Sequence, residues 1–201
     1  MAEWITSLPL WGIIRVLGLI SYLSLTLGVC LGIVYSFPIW KGKVKASMYK
    51  THTFFTIAGT ALGLLHGVFT VVDTYMPFSW REVLVPFAAS HSPFLNGLGT
   101  LAGYGMLLLI FTSDIRNKLG KIVWRSIHLL SYPIWLMAFI HGYFLGTDSS
   151  LHDIGLMYFY SLVAIVLLTF IRFALPPGPK ADPARRRADR SRRVINGRAA
   201  E

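Results

Sequence analysis

His52, His66, His128 and His141 are the residues whose type and spacing could do chemistry in this chain. Each lies in a run without charged side chains, where an ionisable group is costly and usually serves a function. One buried imidazole is ordinarily a residue satisfied by a neighbouring carbonyl. Four of them, in two pairs separated by 14 and 13 residues, ask for more. Two imidazoles at each of two levels is what six-coordinate haem iron needs, one axial nitrogen on each side of a flat macrocycle. Zinc competes, but it gathers three or four ligands at one place, and no Asp, Glu or Cys matches the depth of either pair. A haem-free or single-haem membrane protein that uses buried His for proton or ion transport is the remaining alternative.

The elements that carry these histidines follow from where charge is missing. Only 14% of the 201 residues are charged, and 54% are apolar, against about 25% charged in a soluble domain. Five stretches, Val16–Trp40, Thr51–Val72, Val83–Ser113, Ser126–Thr147 and Ile154–Ile171, contain no Asp, Glu, Lys or Arg. Each is near or above the roughly 18 residues that cross a bilayer as a helix. A soluble enzyme, a DNA-binding module, a disulfide scaffold and a disordered chain are thereby excluded. The expected fold is an all-α membrane protein of five spans: Leu10–Phe37, Thr51–Val72, Pro93–Phe111, Trp124–Leu145 and Asp153–Leu175.

The net charge of +10 divides between the two sides of such a bundle. Lys41, Lys43, Lys45, Lys50, Arg116, Lys118, Lys121, Arg125, Arg172 and the C-terminal tail share one side, whose net charge is +13 with Asp114 included. Glu3, Arg15, Asp73, Arg81, Glu82, Asp148 and Asp153 give −3 on the other. The positive-inside rule makes the first side cytoplasmic, which puts the N-terminus outside and the C-terminus inside. Spans two and four then run parallel, so His52 meets His128 at an inner level and His66 meets His141 at an outer one. At 1.5 Å per residue the levels lie about 20 Å apart. Fourteen residues return to within about 40° of one helix face, whereas 13 fall about 140° away. Pro133, between His128 and His141, is expected to kink or re-phase span four.

The remaining segments are plainer. Glu3 and the length of the first apolar run argue against a cleaved signal, so that run is kept as a span. Cys30 is the single cysteine, so no intrachain disulfide forms. Met76–Ser92, broken by Pro77 and Pro86, is expected to be a long outer loop with a short interfacial helix. The domain boundary falls at residue 175. From Pro176 onward a Pro- and Arg-rich cytoplasmic tail follows, expected to be a disordered arm beside anionic lipid. Docking of a cytoplasmic partner is its other reading, and nucleic acid is the poorer one.

The stretch Gly120-Lys-Ile-Val-Trp-Arg-Ser-Ile-His128-Leu-Leu-Ser-Tyr-Pro133, followed by His141-Gly142 and Gly146-Thr-Asp148, resembles the ferric reductase-like transmembrane domain. That family is shared by NADPH oxidases, ferric reductases and the haem-binding subunit of periplasmic methionine sulfoxide reductase. Val85-Pro-Phe is similar to its bacterial members, and the resemblance runs from about Arg15 to Arg172. It implies that His52 and His128 ligate an inner haem b and His66 and His141 an outer one. It also implies electron flow from a cytoplasmic flavin to an acceptor outside: ferric iron, oxygen or a periplasmic partner protein. No glycine-rich dinucleotide fingerprint is present, so a separate flavoprotein or a membrane quinol is the expected donor. The chain then reads as a membrane cytochrome b subunit of an oxidoreductase in a bacterial cytoplasmic membrane, rather than a self-contained reductase.

Haem propionates call for cations. Arg15 is the outer candidate with Arg81 behind it, and Lys50 and Arg125 are the inner ones or else interfacial anchors. Gly59 and Gly63, with Ala58, Ala61 and Gly67, either seat a flat cofactor or pack helices closely. Trp135, midway between His128 and His141, is a candidate for lying between the haems, or else a core residue. His91 and His152 are expected to be solvated in outer loops, where Asp73, Asp148 and Asp153 form an acidic rim.

Overall fold

The computed structural model describes residues 10–176. Among these residues are seven helices and no strand: α1 (Leu10–Tyr35), α2 (Gly42–Val72), α3 (Trp80–Leu84), α4 (Pro93–Asp114), α5 (Lys121–Leu129), α6 (Ser131–Leu145) and α7 (His152–Ala174). With α5 and α6 taken as one interrupted span, five helices are long and apolar enough to cross a membrane, the make-up of a multi-pass membrane protein. The expectations for the segment before residue 10 and for the basic tail beyond residue 176 fall outside the described residues.

Two helices depart from expectation for identifiable reasons. α2 starts at Gly42 rather than Thr51, because missing charge marks the limit of the bilayer and not the limit of a helix. Its 31 residues span about 46 Å at 1.5 Å each, against a hydrocarbon core of about 30 Å, so its lysine-bearing first turns project beyond the lipid. There Lys45 Nζ lies 4.9 Å from the Tyr35 ring centre, and Arg116 donates to the Tyr49 hydroxyl at 2.7 Å. Span four is interrupted at Leu130. Pro133 has no N–H to give to Leu129, and its ring crowds that carbonyl. The Leu130 N–H instead closes a tighter turn on Ile127 O at 3.0 Å. The expected break between His128 and His141 is therefore present.

Packing follows bilayer rules. Among the described residues no side chain is fully enclosed, and Phe54, Phe170 and Phe173 are exposed, as lipid-facing residues are. One core cluster joins Tyr22 and Ile33 of α1, and Phe37 just after it, to Trp135, Tyr158 and Ile165. A second joins Leu25 to Ala102, Met106, Leu109 and Ile134. Lipid tails are as apolar as leucine, so close approach and hydrogen bonds hold such helices together. Along α1 and α2 a Cβ on Gly59 would stand 2.9 Å from Leu25 Cγ, and one on Gly63 2.9 Å from Ser21 Oγ. Ser21 also donates to Gly59 O at 2.8 Å. Gly59 and Gly63 thus serve contact between α1 and α2.

The loop around α3 is tied down by one carboxylate. Glu82 accepts from the N–H and hydroxyl of Ser79, both at 2.8 Å, and from the N–H and hydroxyl of Ser90 at 2.9 and 2.7 Å. The loop then bonds α4 through Thr100 Oγ1 to Val83 O (3.0 Å) and Tyr104 to Leu84 O. The Ser79 N–H, followed by the Ser90 groups and the Ser79 hydroxyl, lowers the Glu82 pKa from 4.5 to about 2. A depressed carboxylate stabilises above its unfolded value and loses that contribution as pH falls through its folded value. The protection of residues 79–90 against hydrogen exchange or proteolysis is therefore expected to be constant above about pH 4.5 and to fall between about 4.5 and 2. Glu82→Gln is expected to weaken that protection at neutral pH and to flatten the profile. An unchanged profile in the variant would contradict this.

Candidate functional site

The four histidines come together as two pairs. The ring centres of His52 and His128 are 6.3 Å apart with planes at 72°, and those of His66 and His141 are 6.3 Å apart at 84°. α1 packs along α2 and α4 along α6, whereas α2 shares no extended backbone interface with α5 or α6. The paired rings face each other across that separation.

Three of the rings are aimed by the same device. Nδ1 of His52 bonds Gly28 O at 2.7 Å, Nδ1 of His66 bonds Ile14 O at 2.9 Å, and Nδ1 of His141 bonds Leu95 O at 2.9 Å. A carbonyl can only accept, so Nδ1 carries the hydrogen and Nε2 keeps its lone pair, the tautomer that a metal-binding imidazole needs. Four residues after each accepting carbonyl stands a glycine: Gly32, Gly18 and Gly99. Side chains on a helix lean toward its N-terminus, so residue i+4 covers the carbonyl at i. A Cβ on Gly32 would lie 3.1 Å from His52, one on Gly18 3.2 Å from His66, and one on Gly99 2.7 Å from His141. Each glycine clears the place that the imidazole occupies.

His128 is the exception. Its Nδ1 is buried without a partner, and its ring stacks on Trp124 with centres 5.1 Å apart and planes at 23°.

The pair spacing discriminates between chemistries. Two imidazoles sharing an N–H···N hydrogen bond of about 3 Å would have ring centres about 5.2 Å apart. Two imidazoles on opposite sides of one metal, with bonds of about 2.0 Å, would have them about 6.3 Å apart, whereas a tetrahedral angle would bring them to about 5.1 Å. Both pairs show the larger value, and among the described residues no hydrogen bond joins the two rings of a pair. Nor do three or more His, Cys, Asp or Glu gather at any point in the described residues. Each pair is thus two imidazoles without a third candidate ligand, short of the three or four that a zinc site gathers.

The other candidates are distributed as follows. Arg15 forms a bidentate ion pair with Asp148, Nε to Oδ2 at 2.7 Å and Nη2 to Oδ1 at 2.5 Å. It ties the turn that carries Ile14 to the loop after α6. Lys50 lines an open apolar hollow of about 420 Å³ with Tyr49, Thr53, Phe54, Ile57 and Ala58 on α2. Arg81 and Arg125 are exposed. Trp135 is buried in the cluster with Tyr22 and donates to Thr26 Oγ1 at 2.9 Å, a core position. His91 and His152 are exposed.

Reading the sequence did not single out Gly18, Gly32, Gly99 or the three accepting carbonyls. One signal was present: Gly18 and Gly32 are 14 residues apart, the same interval as His52 and His66. Comparison of the chain with known protein families, with curated proteins and with solved structures finds no match.

Proposed function

We propose that this chain carries electrons across a membrane through two b-type haems, each held by two histidines. His52 and His128 would ligate the inner haem, and His66 and His141 the outer one. The observation that carries this reading is the shared 6.3 Å spacing of two imidazole pairs, with Nδ1 of three rings fixed on backbone carbonyls. A relay of protons would need donors and acceptors in a continuous chain, and rings ending on helix carbonyls interrupt it. When bound, each haem supplies a reversible one-electron carrier.

The protein's own contribution is position. The carbonyls of Gly28, Ile14 and Leu95 orient three ligands and strengthen them as donors. Gly32, Gly18 and Gly99 give the rings room. Lys50 and Arg125 stand on the lysine-rich side for inner propionates. Arg15, paired with Asp148, ties the turn of α1 that carries Ile14 to the loop after α6. With the lysine-rich side cytoplasmic, a flavoprotein or quinol donates there, and ferric iron, oxygen or a periplasmic protein accepts on the other side. These assignments agree with the resemblance to the ferric reductase-like transmembrane domain.

Sealed vesicles containing the purified full chain and trapped ferricyanide test the direction-independent core of the proposal. A membrane-impermeant reductant added outside is expected to bleach the trapped ferricyanide, and the His66→Ala chain is expected to fail. Bleaching no faster than in protein-free vesicles would refute the proposal.

A further inference from the structure

We infer that the two histidine pairs are unequal holders of an electron, the inner pair retaining it more tightly because His128 lacks the carbonyl acceptor that the other three imidazoles have. This rests on the reading of each pair as a haem ligand set.

The asymmetry has a structural cause. α1 is in antiparallel register with α2, so Ile14 and Gly28, 14 residues apart, meet His66 and His52, also 14 apart. α4 runs beside α6 in the same way, with Leu95 meeting His141. His128 falls out of this register: span four is interrupted at Leu130, between His128 and His141, and 13 residues do not return to one helix face. Its ring stacks on Trp124 instead, with centres 5.1 Å apart. His128 Nδ1 remains buried and unpaired.

The sign follows from ligand basicity. An Nδ1–H···O=C bond pushes electron density toward Nε2, which favours the more positive, oxidised metal. The outer pair has two such bonds and the inner pair one. Charge acts in the same direction. Lys50 and Arg125 lie on the inner side, whereas the outer side has buried Asp73 and an Arg15 already neutralised by Asp148. Outer-shell partners of a metal-bound histidine alter binding by about 10–100-fold. A tenfold preference for the electron at the inner site corresponds to about 59 mV for one electron. Transfer between the sites moves one electron, with no bond made or broken and no proton displaced.

A potentiometric titration of the haem α band in the purified full-length chain tests this. Two one-electron steps separated by about 59 mV or more are expected. The upper step should survive in His66→Ala, and the lower in His52→Ala. Coincident steps, or an upper step belonging to the outer pair, would each overturn the inference while leaving the two-haem reading intact. A chain that binds no haem would overturn both.

Discussion

His66→Ala is expected to remove one haem and spare the other, leaving about half of the reduced α-band absorbance, because six-coordinate low-spin iron needs both axial nitrogens. His52→Ala is expected to do the same at the other level, and the two residual spectra should add to that of the unaltered chain. The pairs are built independently: His66 is seated on Ile14 and Gly18, His52 on Gly28 and Gly32. About 21 Å of helix, 14 residues at 1.5 Å each, lies between them. Loss of one pair therefore leaves the other's hydrogen bonds and neighbours in place. Bound-haem stoichiometry with the difference spectrum of each variant is the measurement. Loss of both haems from either variant, or of neither, would show the pairing to be wrong.

Gly99→Ala is the second large effect, and it runs against helix propensity. In an ordinary helix interior this change stabilises by about 1 kcal/mol. Here the new Cβ would stand 2.7 Å from His141 Cε1 and Nδ1. The same Nδ1 is tied to the Leu95 carbonyl, so the ring cannot retreat without losing that bond; overpacking of about 1–3 kcal/mol is expected, with loss of the outer haem. Gly18→Ala and Gly32→Ala place the Cβ at 3.2 and 3.1 Å from His66 and His52, distances a ring accommodates by moving a few tenths of an ångström. Those two variants are expected to keep both haems with shifted potentials. The three variants compared by haem content and thermal unfolding separate the ideas. A Gly99→Ala chain with full haem and a raised midpoint would show that the glycine does not make room for the imidazole.

The parts of this architecture that depend on one segment at a time could be read from the sequence. Gaps in charge located the spans, and the parallel course of spans two and four brought His52 to His128 and His66 to His141. Pro133 marked the interruption that the structure places at Leu130. What depends on the face one helix turns to another was less accessible. Gly59 and Gly63 look the same in sequence whether they seat a cofactor or a helix, and contact with Leu25 and Ser21 decides for the helix. Gly18, Gly32 and Gly99 lie on segments with no histidine, so their role emerges only when the neighbouring ring is in place. Arg15 was read as a candidate propionate partner, and its ion pair with Asp148, 133 residues away, was not foreseen. α2 ran nine residues past its expected start because lysines end a membrane span without ending a helix.

Pairing across the bundle sets four of the six histidines apart. His91 and His152 are exposed, whereas His52, His66 and His141 sit on carbonyls of neighbouring helices and His128 is buried at Nδ1 without a partner.

The central claim is tested most directly by the haem content and reduced-minus-oxidised spectrum of the full chain, purified from cells amply supplied with haem. Two b-type haems per chain, giving the sharp α band of six-coordinate ferrous iron, are the predicted result. A well-folded chain with no Soret absorbance would contradict it.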